Sequence, residues 1–149
     1  MILSRTTEYA IRLIFYLSDR QPLPQYVRIK DVAVDLEVSY YQLAKVANIL
    51  ITNEILKSST GPTGGIDLCD HANSLPLSVV LEIFKEKGIF DQCILGLNEC
   101  SDVNPCPIHN VWGNTRKELK TTFFDKTLGE LKDEAMLPIF KNPEWSKKS

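Results

Sequence analysis

The first apolar pattern along the chain predicts a helix. Apolar residues recur at the i, i+3, i+4 and i+7 spacing of one helical face. These positions are Ala10, Leu13, Ile14 and Leu17. Such a stripe is typical of a helix that packs on a core. We expect this helix to begin near Ser4 and to end by Arg20.

Two shorter helices follow, joined by a tight connection at residues 37–38. The first is predicted from Ile29, and its apolar positions are Val32, Ala33 and Leu36. Ser39 is a good N-cap for the second helix, and Gln42 lies three residues later, at the spacing of a capping box. The stripe of the second helix is Leu43, Val46, Ala47 and Leu50. Two short helices behind a longer one indicate a helix-turn-helix unit.

A β-hairpin is predicted directly after these helices. Residues 54–59 form a plausible strand, and residues 66–69 alternate apolar and polar positions as a second strand does. The segment between them, Thr-Gly-Pro-Thr-Gly-Gly, is the strongest turn signal in the chain. A helix-turn-helix followed by a hairpin is the pattern of a winged helix. A small helical domain with a purely structural hairpin is the alternative.

The second half of the chain predicts further helices around a long irregular segment. Pro76 fits the first turn of one helix, whose apolar positions are Leu77, Val80, Leu81 and Phe84. Residues 88–105 show no sustained periodicity, and a loop of this length in a compact chain is usually functional. A longer helix is predicted from Pro107, with a seam suited to pairing with another helix, such as one from a second subunit. The seam consists of Ile108, Trp112, Thr115, Leu119 and Thr122. Thr127 and Glu130 form a capping box for a short last helix.

Length and charge limit the classes of protein that fit this pattern. The 149 residues are enough for one domain, or for a small domain with an appendage. Residues 1–68 carry seven basic and seven acidic side chains, and residues 69–149 carry ten and twelve. Neither part has the basic excess that often marks nucleic-acid binding, so charge argues mildly against DNA. We find no secretory signal and no apolar run of membrane-spanning length, and therefore expect a cytoplasmic protein with reduced thiols.

The most distinctive chemistry is a cluster of possible metal ligands in the irregular segment. Cys93, Cys100 and Cys106 lie within fourteen residues, and His109 follows three residues after the last of them. Three thiolates close together repel one another unless a cation neutralises them, and a neutral histidine adds a bond without adding charge. The fourth cysteine, Cys69, stands apart at a strand end, and we interpret it as a small core residue.

Several interpretations of the three cysteines remain open. They could be packing residues, although a polar, glycine-containing loop is not typical of a core, and disulfides are disfavoured in a reducing compartment. Structural zinc usually takes its ligands in close pairs, and no two of these cysteines are that close. Wider spacing lets a loop wrap a larger object, which favours an iron–sulfur cluster over zinc without settling the metal. We find no phosphate-binding loop and no arrangement typical of nucleophilic catalysis, so nothing indicates an enzyme.

The order of these motifs resembles the BadM-type (Rrf-two) bacterial transcription regulators, which include the iron–sulfur regulator IscR and the nitric-oxide sensor NsrR. The resemblance covers roughly residues 1–135. Residues 3–12 are similar to the first helix of the family. The start of its recognition helix is matched by Val38, Ser39, Leu43 and Lys45, and its wing is matched by residues 61–68. The three cysteines with His109 and Trp112 resemble its cluster loop and dimerisation helix, and residues 127–131 its closing segment.

The resemblance implies a mainly α fold, a winged helix-turn-helix with a small β-hairpin wing and a long C-terminal dimerisation helix. It implies a DNA-binding domain over residues 1–70, and a cluster-binding loop with dimerisation helices over residues 71–149. The partners would be double-stranded operator DNA and a second copy of the chain in a homodimer, with no membrane and no small-molecule substrate. The residues expected to contact DNA are Ser39, Tyr40, Tyr41, Gln42 and Lys45 on the recognition helix, and Thr60, Gly61, Thr63 and Gly64 on the wing.

The resemblance also implies an iron–sulfur cluster held by Cys93, Cys100 and Cys106. The fourth ligand differs among members of the family. A histidine matching His109 binds a [2Fe-2S] cluster in some, and an acidic residue matching Glu8, from the partner subunit, binds a [4Fe-4S] cluster in others. The short spacing between the last cysteine and the histidine favours His109 and [2Fe-2S], with [4Fe-4S] as the other possibility.

The chain departs from the family pattern at three places. The first cysteine gap is six residues, where the family usually has about five. Glu37 stands where a turn glycine is common, so we expect an unusual backbone conformation there. The arginine often found before the wing is missing from residues 58–60, which weakens phosphate contact.

The expected function is regulation of transcription through operator binding, controlled by a cluster that senses iron–sulfur status, redox stress or nitric oxide. One alternative is a cluster-free regulator of the same family that depends on thiols or zinc. An alternative from another class is a small iron–sulfur electron carrier, which would leave the helix-turn-helix and the wing unexplained.

Overall fold

The computed structural model describes residues 3–19, 26–86 and 88–134. Three helices open the fold: α1 (Arg5–Ser18), α2 (Ile29–Asp35) and α3 (Tyr40–Thr52). The stripes of α1 and α3 predicted from the sequence are buried, and the two helices pack against each other. The helix-turn-helix is therefore confirmed, and α1 ends at Ser18, before Arg20 as expected.

The connection between α2 and α3 agrees with one prediction and corrects another. Glu37 has a φ of 52°, the left-handed conformation expected where a turn glycine is absent. Ser39 is the N-cap residue of α3, but its side chain makes no capping hydrogen bond to the helix. The capping box predicted with Gln42 is therefore not formed. Burial of the α3 stripe, rather than side-chain capping, fixes this helix against the core.

A two-stranded antiparallel hairpin follows, made of β1 (Leu56–Ser59) and β2 (Gly65–Leu68). Leu56 pairs with Leu68, and Ser59 pairs with Gly65. Val27, between α1 and α2, extends this hairpin through a bridge to Ile66, with N···O distances of 2.9 and 2.8 Å. The apolar ends of the hairpin are buried and its turn is exposed, so the turn projects from the body of the molecule as a wing.

Helices dominate the second half of the described chain. α4 (Leu77–Ile83) and the short α5 (Gly88–Asp91) precede the cysteine segment. α6 (His109–Leu119) begins two residues later than predicted and continues into a π-helical turn at Lys120–Phe124. The last helix, α7 (Leu128–Glu134), begins with the predicted capping box, in which the Thr127 backbone N–H donates to Glu130 and the Glu130 N–H donates to the Thr127 hydroxyl.

One continuous core joins both halves of the chain. Apolar side chains of α1, α3, β2, α4 and α7 belong to the same buried cluster, and α1 contacts both α4 and α7. The division into domains at residues 1–70 and 71–149 therefore crosses a shared core and stays a prediction. Within the described ranges, no helix has both the length and the apolar character needed to cross a membrane.

Candidate metal centre and nucleic-acid interface

The cysteine segment folds so that three thiols converge. The sulfur atoms of Cys93, Cys100 and Cys106 all lie within 4.8 Å of one another. The Sγ atoms of Cys93 and Cys106 are 3.7 Å apart, although thirteen residues separate them in the chain. The Cys106 backbone N–H also points at the sulfur of Cys100, with an N···S distance of 3.5 Å. The sequence prediction that these three residues act together is consistent with this arrangement.

Helix α6 holds the start of this segment in place. The Trp112 indole N–H and the Arg116 guanidinium both donate to the backbone carbonyl of Gln92, over 3.1 and 3.2 Å. Gln92 immediately precedes Cys93. Farther along, the ring of Phe90 on α5 packs edge-on against Phe124. The position of the first thiol is therefore coupled directly to the helix that follows the last one.

Backbone donors favour the thiolate form of one cysteine. The backbone N–H of Leu97, assisted by that of Leu95, lowers the pKa of Cys93 from 9.0 to about 7, against the opposing effect of burial. Cys100 responds in the other direction. The Cys106 N–H favours its thiolate, but burial and the two neighbouring thiols together raise the pKa of Cys100. The thiolate form is therefore favoured at Cys93 and disfavoured at Cys100.

His109 lies beside the thiols in an orientation suited to a ligand. Its Nδ1 atom is 3.1 Å from the sulfur of Cys100, and its Nε2 atom is 2.9 Å from the carboxylate of Asp102. An N–H on Nε2 that donates to Asp102 leaves the Nδ1 lone pair facing the thiols, which is the arrangement of a histidine ligand supported by a carboxylate. The hydrogen bond with His109 also lowers the pKa of Asp102. Sequence reasoning missed Asp102, which only the folded loop brings next to the ring.

This donor set fits a soft metal centre. Two thiolates bound to one tetrahedral ion at about 2.3 Å stand about 3.8 Å apart, close to the Cys93–Cys106 separation of 3.7 Å. Thiolate sulfur with one imidazole nitrogen suits iron or zinc, and three thiols cannot all ionise at such distances without a cation. Glu8, the other candidate for a fourth ligand, is a half-buried residue in the first turn of α1.

The predicted recognition residues form an exposed surface on α3. Ser39, Tyr40, Tyr41, Gln42 and Lys45 are all exposed. The Tyr41 side chain is 82% exposed and lies on the same side of the helix as Lys45 and Asn48, where a shallow groove runs along the helix. Large aromatic side chains held in solvent next to a lysine are available for contact with a partner, in contrast to the buried opposite face of the helix.

The predicted wing residues differ in their exposure. Thr60, Gly61 and Thr63 are exposed at the turn, whereas Gly64 is buried. A Cβ atom on Gly64 would lie 2.3 Å from the carbonyl oxygen of Ser59. Gly64 therefore lets the turn close, and of the four predicted wing residues the other three are those presented to solvent.

Comparison with known proteins assigns the chain to a family. The model of the Rrf2 family, described as iron-dependent transcriptional regulators, matches residues 3–134. The chain belongs to the Rrf2 family. A protein of Aquifex aeolicus named as an HTH-type transcriptional regulator is 26% identical over 133 residues, which cover 88% of this chain and 91% of that protein. The HTH-type transcriptional regulator NsrR of Oceanobacillus iheyensis is 24% identical over 112 residues, covering 74% and 76%.

A solved structure shares the fold of this chain. CymR of Bacillus subtilis, described as its global cysteine regulator, superposes with a TM-score of 0.73 at 16% identity, covering 89% of this chain and 97% of CymR. The predicted resemblance is thus confirmed: this Rrf2 chain is a DNA-binding transcriptional regulator and not an enzyme. Its cysteine group is consistent with sensing through a metal or a cluster.

A carboxylate connects the segment after α4 of this Rrf2 chain to the N-terminus of α1. Glu86 follows α4 and accepts hydrogen bonds from the backbone N–H of Ser4 and the hydroxyl of Thr7, over 2.8 and 2.6 Å. Ser4 is the N-cap of α1, and Thr7 is fully buried. Although burial acts against the charge, these hydrogen bonds lower the pKa of Glu86. An ionised carboxylate at a helix N-terminus is also favoured by the helix dipole.

We expect Glu86→Gln to destabilise the protein by about 1 kcal/mol near neutral pH. The substitution replaces charge-assisted hydrogen bonds by neutral ones, and the effect is modest because the site is half-exposed to solvent. The native pKa of Glu86 is lowered, so its contribution is present above the unfolded-state pKa and is lost as pH falls through the native value. Urea denaturation of both proteins at a series of pH values measures this. The difference should shrink below about pH 4, and a difference independent of pH would contradict the prediction.

Proposed function

We propose that this protein binds operator DNA as a homodimer in the cytoplasm, and that an iron–sulfur cluster held by Cys93, Cys100 and Cys106 controls its affinity for DNA. The convergence of the three sulfur atoms within 4.8 Å is the observation that carries this proposal. In a protein of an iron-dependent regulator family, such a donor set is suited to a metal centre. His109 is the favoured fourth ligand, because its Nδ1 faces Cys100 while Asp102 engages Nε2. This ligand set favours [2Fe-2S], with [4Fe-4S] bound through Glu8 as the other form.

The DNA-binding role is distributed over two exposed elements. Tyr40, Tyr41, Gln42 and Lys45 at the start of α3 would enter the major groove, and Ser39 would face a phosphate. Thr60, Gly61 and Thr63 at the tip of the wing would approach the backbone or the minor groove. Because the chain has no basic excess, we expect modest affinity per subunit and a strong dependence on two subunits binding together.

The surface of α6 supports the homodimer. Within its range, His109–Leu119, the structure buries no side chain, and Val111 is 70% exposed. Ile108, Leu119 and Phe123 are also exposed apolar residues on or beside this helix. Of the predicted seam, Ile108 and Leu119 are exposed, whereas Trp112 is half-buried and donates to the Gln92 carbonyl of its own subunit. The exposed apolar residues of this helix are available to a second copy.

Control of DNA binding would follow from the contacts of the cysteine segment. A bound cluster supplies a centre that is sensitive to iron–sulfur supply, oxidants and nitric oxide. The backbone carbonyl of Gln92, the residue before Cys93, accepts hydrogen bonds from Trp112 and Arg116 of α6. His109 is the first residue of the same helix. Ligation would therefore hold the segment and the start of α6 in one arrangement, and release would allow the angle between two DNA-binding halves to change. DNA affinity changes only if the two arrangements bind DNA differently.

A cluster-free regulator is the second candidate, because the same sulfur positions also suit a single ion. The Cys93–Cys106 sulfur separation of 3.7 Å matches two ligands of one ion, and the pKa of Cys93 near 7 favours a reactive thiolate. A single zinc or iron ion, or the thiols alone, would then act as the sensor. A small electron carrier would use the same thiols but would not need the recognition surface on α3.

Purification without air, followed by iron, zinc and acid-labile sulfide analysis, separates these functions. The proposal expects iron and sulfide in equal amounts, a coloured protein, and an affinity for selected duplex DNA that changes when the cluster is removed. It also expects log affinity to fall with log salt at about −0.9 per phosphate contact. Zinc or metal-free protein that still binds DNA would support the cluster-free regulator. Iron and sulfide without DNA binding would support the electron carrier.

A further inference from the structure

The tip of the wing has no charge of its own. Residues 58–65 are Ser, Ser, Thr, Gly, Pro, Thr, Gly and Gly. The lysine that precedes them on β1, Lys57, lies 3.5 Å from the carboxylate of Asp70. A wing that approaches a DNA backbone through such a sequence would offer hydroxyls and main-chain N–H groups, but no positive charge to displace the counterions of the phosphates.

Arg28 brings a positive charge to this tip from another part of the chain. It directly follows Val27, whose backbone N–H and carbonyl both bond to Ile66 of β2. From there the exposed Arg28 side chain extends along the hairpin, and its Nη2 atom donates to the carbonyl oxygen of Pro62 over 3.1 Å. The guanidinium group therefore lies at the turn of the wing, although 34 residues separate Arg28 from Pro62.

A glycine makes this approach possible. Gly65 has a φ of 152°, and a Cβ atom at this position would lie 2.3 Å from the Val27 carbonyl oxygen and 3.0 Å from the Arg28 nitrogen. The absence of a side chain lets the backbone at Val27 and Arg28 pass directly beside β2. The backbone of Arg28 is thus held beside the hairpin by the contacts of Val27 with Gly65 and Ile66.

Arg28 also belongs to the helix-turn-helix. It is the N-cap residue of α2, the first helix of that unit. In DNA complexes of helix-turn-helix proteins, the first helix crosses the sugar–phosphate backbone while the second enters the major groove. The wing and the start of α2 are therefore the two elements expected to face phosphates, and Arg28 joins them.

We propose that Arg28 is a DNA-backbone-binding residue, which supplies to the wing the positive charge that residues 58–65 lack. This inference rests on the proposed operator binding and adds a residue outside the recognition helix and the wing. An arginine has five N–H donors in a planar fork. The bond to Pro62 uses Nη2 for one of them, and the fork geometry matches the oxygen atoms of a phosphate.

The test compares three variants on duplex DNA over a series of salt concentrations. Arg28→Gln removes the charge but keeps a polar side chain with N–H donors, and Arg28→Lys keeps the charge. Lys57→Gln is the matched control, since it removes one positive charge from the same hairpin at a residue engaged with Asp70. Fluorescence anisotropy with a duplex selected for binding to the parent protein gives the affinity and its salt slope, and thermal unfolding reports the stability of each variant.

We expect Arg28→Gln to make the salt slope less negative by about 0.9 per subunit, hence about 1.8 per dimer, and to weaken binding at low salt by about tenfold. Arg28→Lys and Lys57→Gln should keep slopes near that of the parent protein. An unchanged slope for Arg28→Gln on a parent that binds DNA would overturn the role of Arg28 alone. Equal changes of the salt slope in Arg28→Gln and Lys57→Gln would also overturn the role of Arg28. So would weaker DNA binding by Arg28→Gln that is fully accounted for by its lower thermal stability. A parent protein that binds no duplex would overturn the proposed function itself.

Discussion

Cys106→Ala should abolish retention of iron and sulfide in protein purified or reconstituted without air. Cys106 is central to the thiol group, because its sulfur is 3.7 Å from that of Cys93 and its N–H points at the sulfur of Cys100. Removing it leaves two thiols and His109, which lack the fourth donor of a closed site. Iron and sulfide content should fall to background, and the visible absorption of the protein should disappear.

Cys69→Ala is the control for the iron and sulfide content of Cys106→Ala. Cys69 is half-buried at the end of the hairpin and is not part of the group of converging sulfur atoms. Cys69→Ala should therefore keep the iron, the sulfide and the cluster-dependent change in DNA affinity. Full iron and sulfide content in Cys106→Ala would contradict the ligand set, and loss of both in Cys69→Ala would indicate that the metal is held elsewhere.

Gly65→Ala should destabilise the protein strongly. The new Cβ atom would lie 2.3 Å from the Val27 carbonyl oxygen, where real Cβ contacts do not occur, and φ is 152°. Relief requires separation of Val27 from Ile66, which breaks the bridge that joins the hairpin to the start of the helix-turn-helix. We expect a loss of about 2–4 kcal/mol and a Tm lower by roughly 10 °C, measured by thermal unfolding followed by circular dichroism.

Gly61→Ala separates steric overlap from backbone strain. Gly61 also has a positive φ, 98°, but a Cβ atom there would meet no heavy atom within 4 Å. Its replacement should cost only about 1 kcal/mol, through the strain of the left-handed region. If both variants lose the same stability, the close approach of Val27 to Gly65 does not hold the wing in place.

The sequence predicted well those features that depend on local spacing. The stripes on α1 and α3 follow from the repeat of apolar positions, and the hairpin follows from a turn with three glycines between two predicted strands. The capping box at Thr127 and Glu130 is also local, and its hydrogen bonds are formed. The grouping of the cysteines could be anticipated because the three residues share one short loop.

Features that depend on distant pairs could not be predicted in this way. Arg28 meets Pro62, and Glu86 meets Ser4 and Thr7, only because the fold returns the chain to the same place. The predicted capping box at Ser39 failed for a related reason, since burial of the α3 stripe can fix a helix without its cap. The short α5 within residues 88–105 has no apolar period long enough to detect.

The π-helical turn at Lys120–Phe124 limits the length over which the α6 helices of two subunits could pack against each other. Such a turn accommodates an extra residue and rotates every later side chain around the axis. The apolar seam is therefore in phase only over the eleven residues His109–Leu119, a length of about 16 Å. Two such helices would meet at a short crossing point rather than in an extended coiled coil. A small rotation of one helix about that crossing would then produce a large displacement of the distant α3 helices.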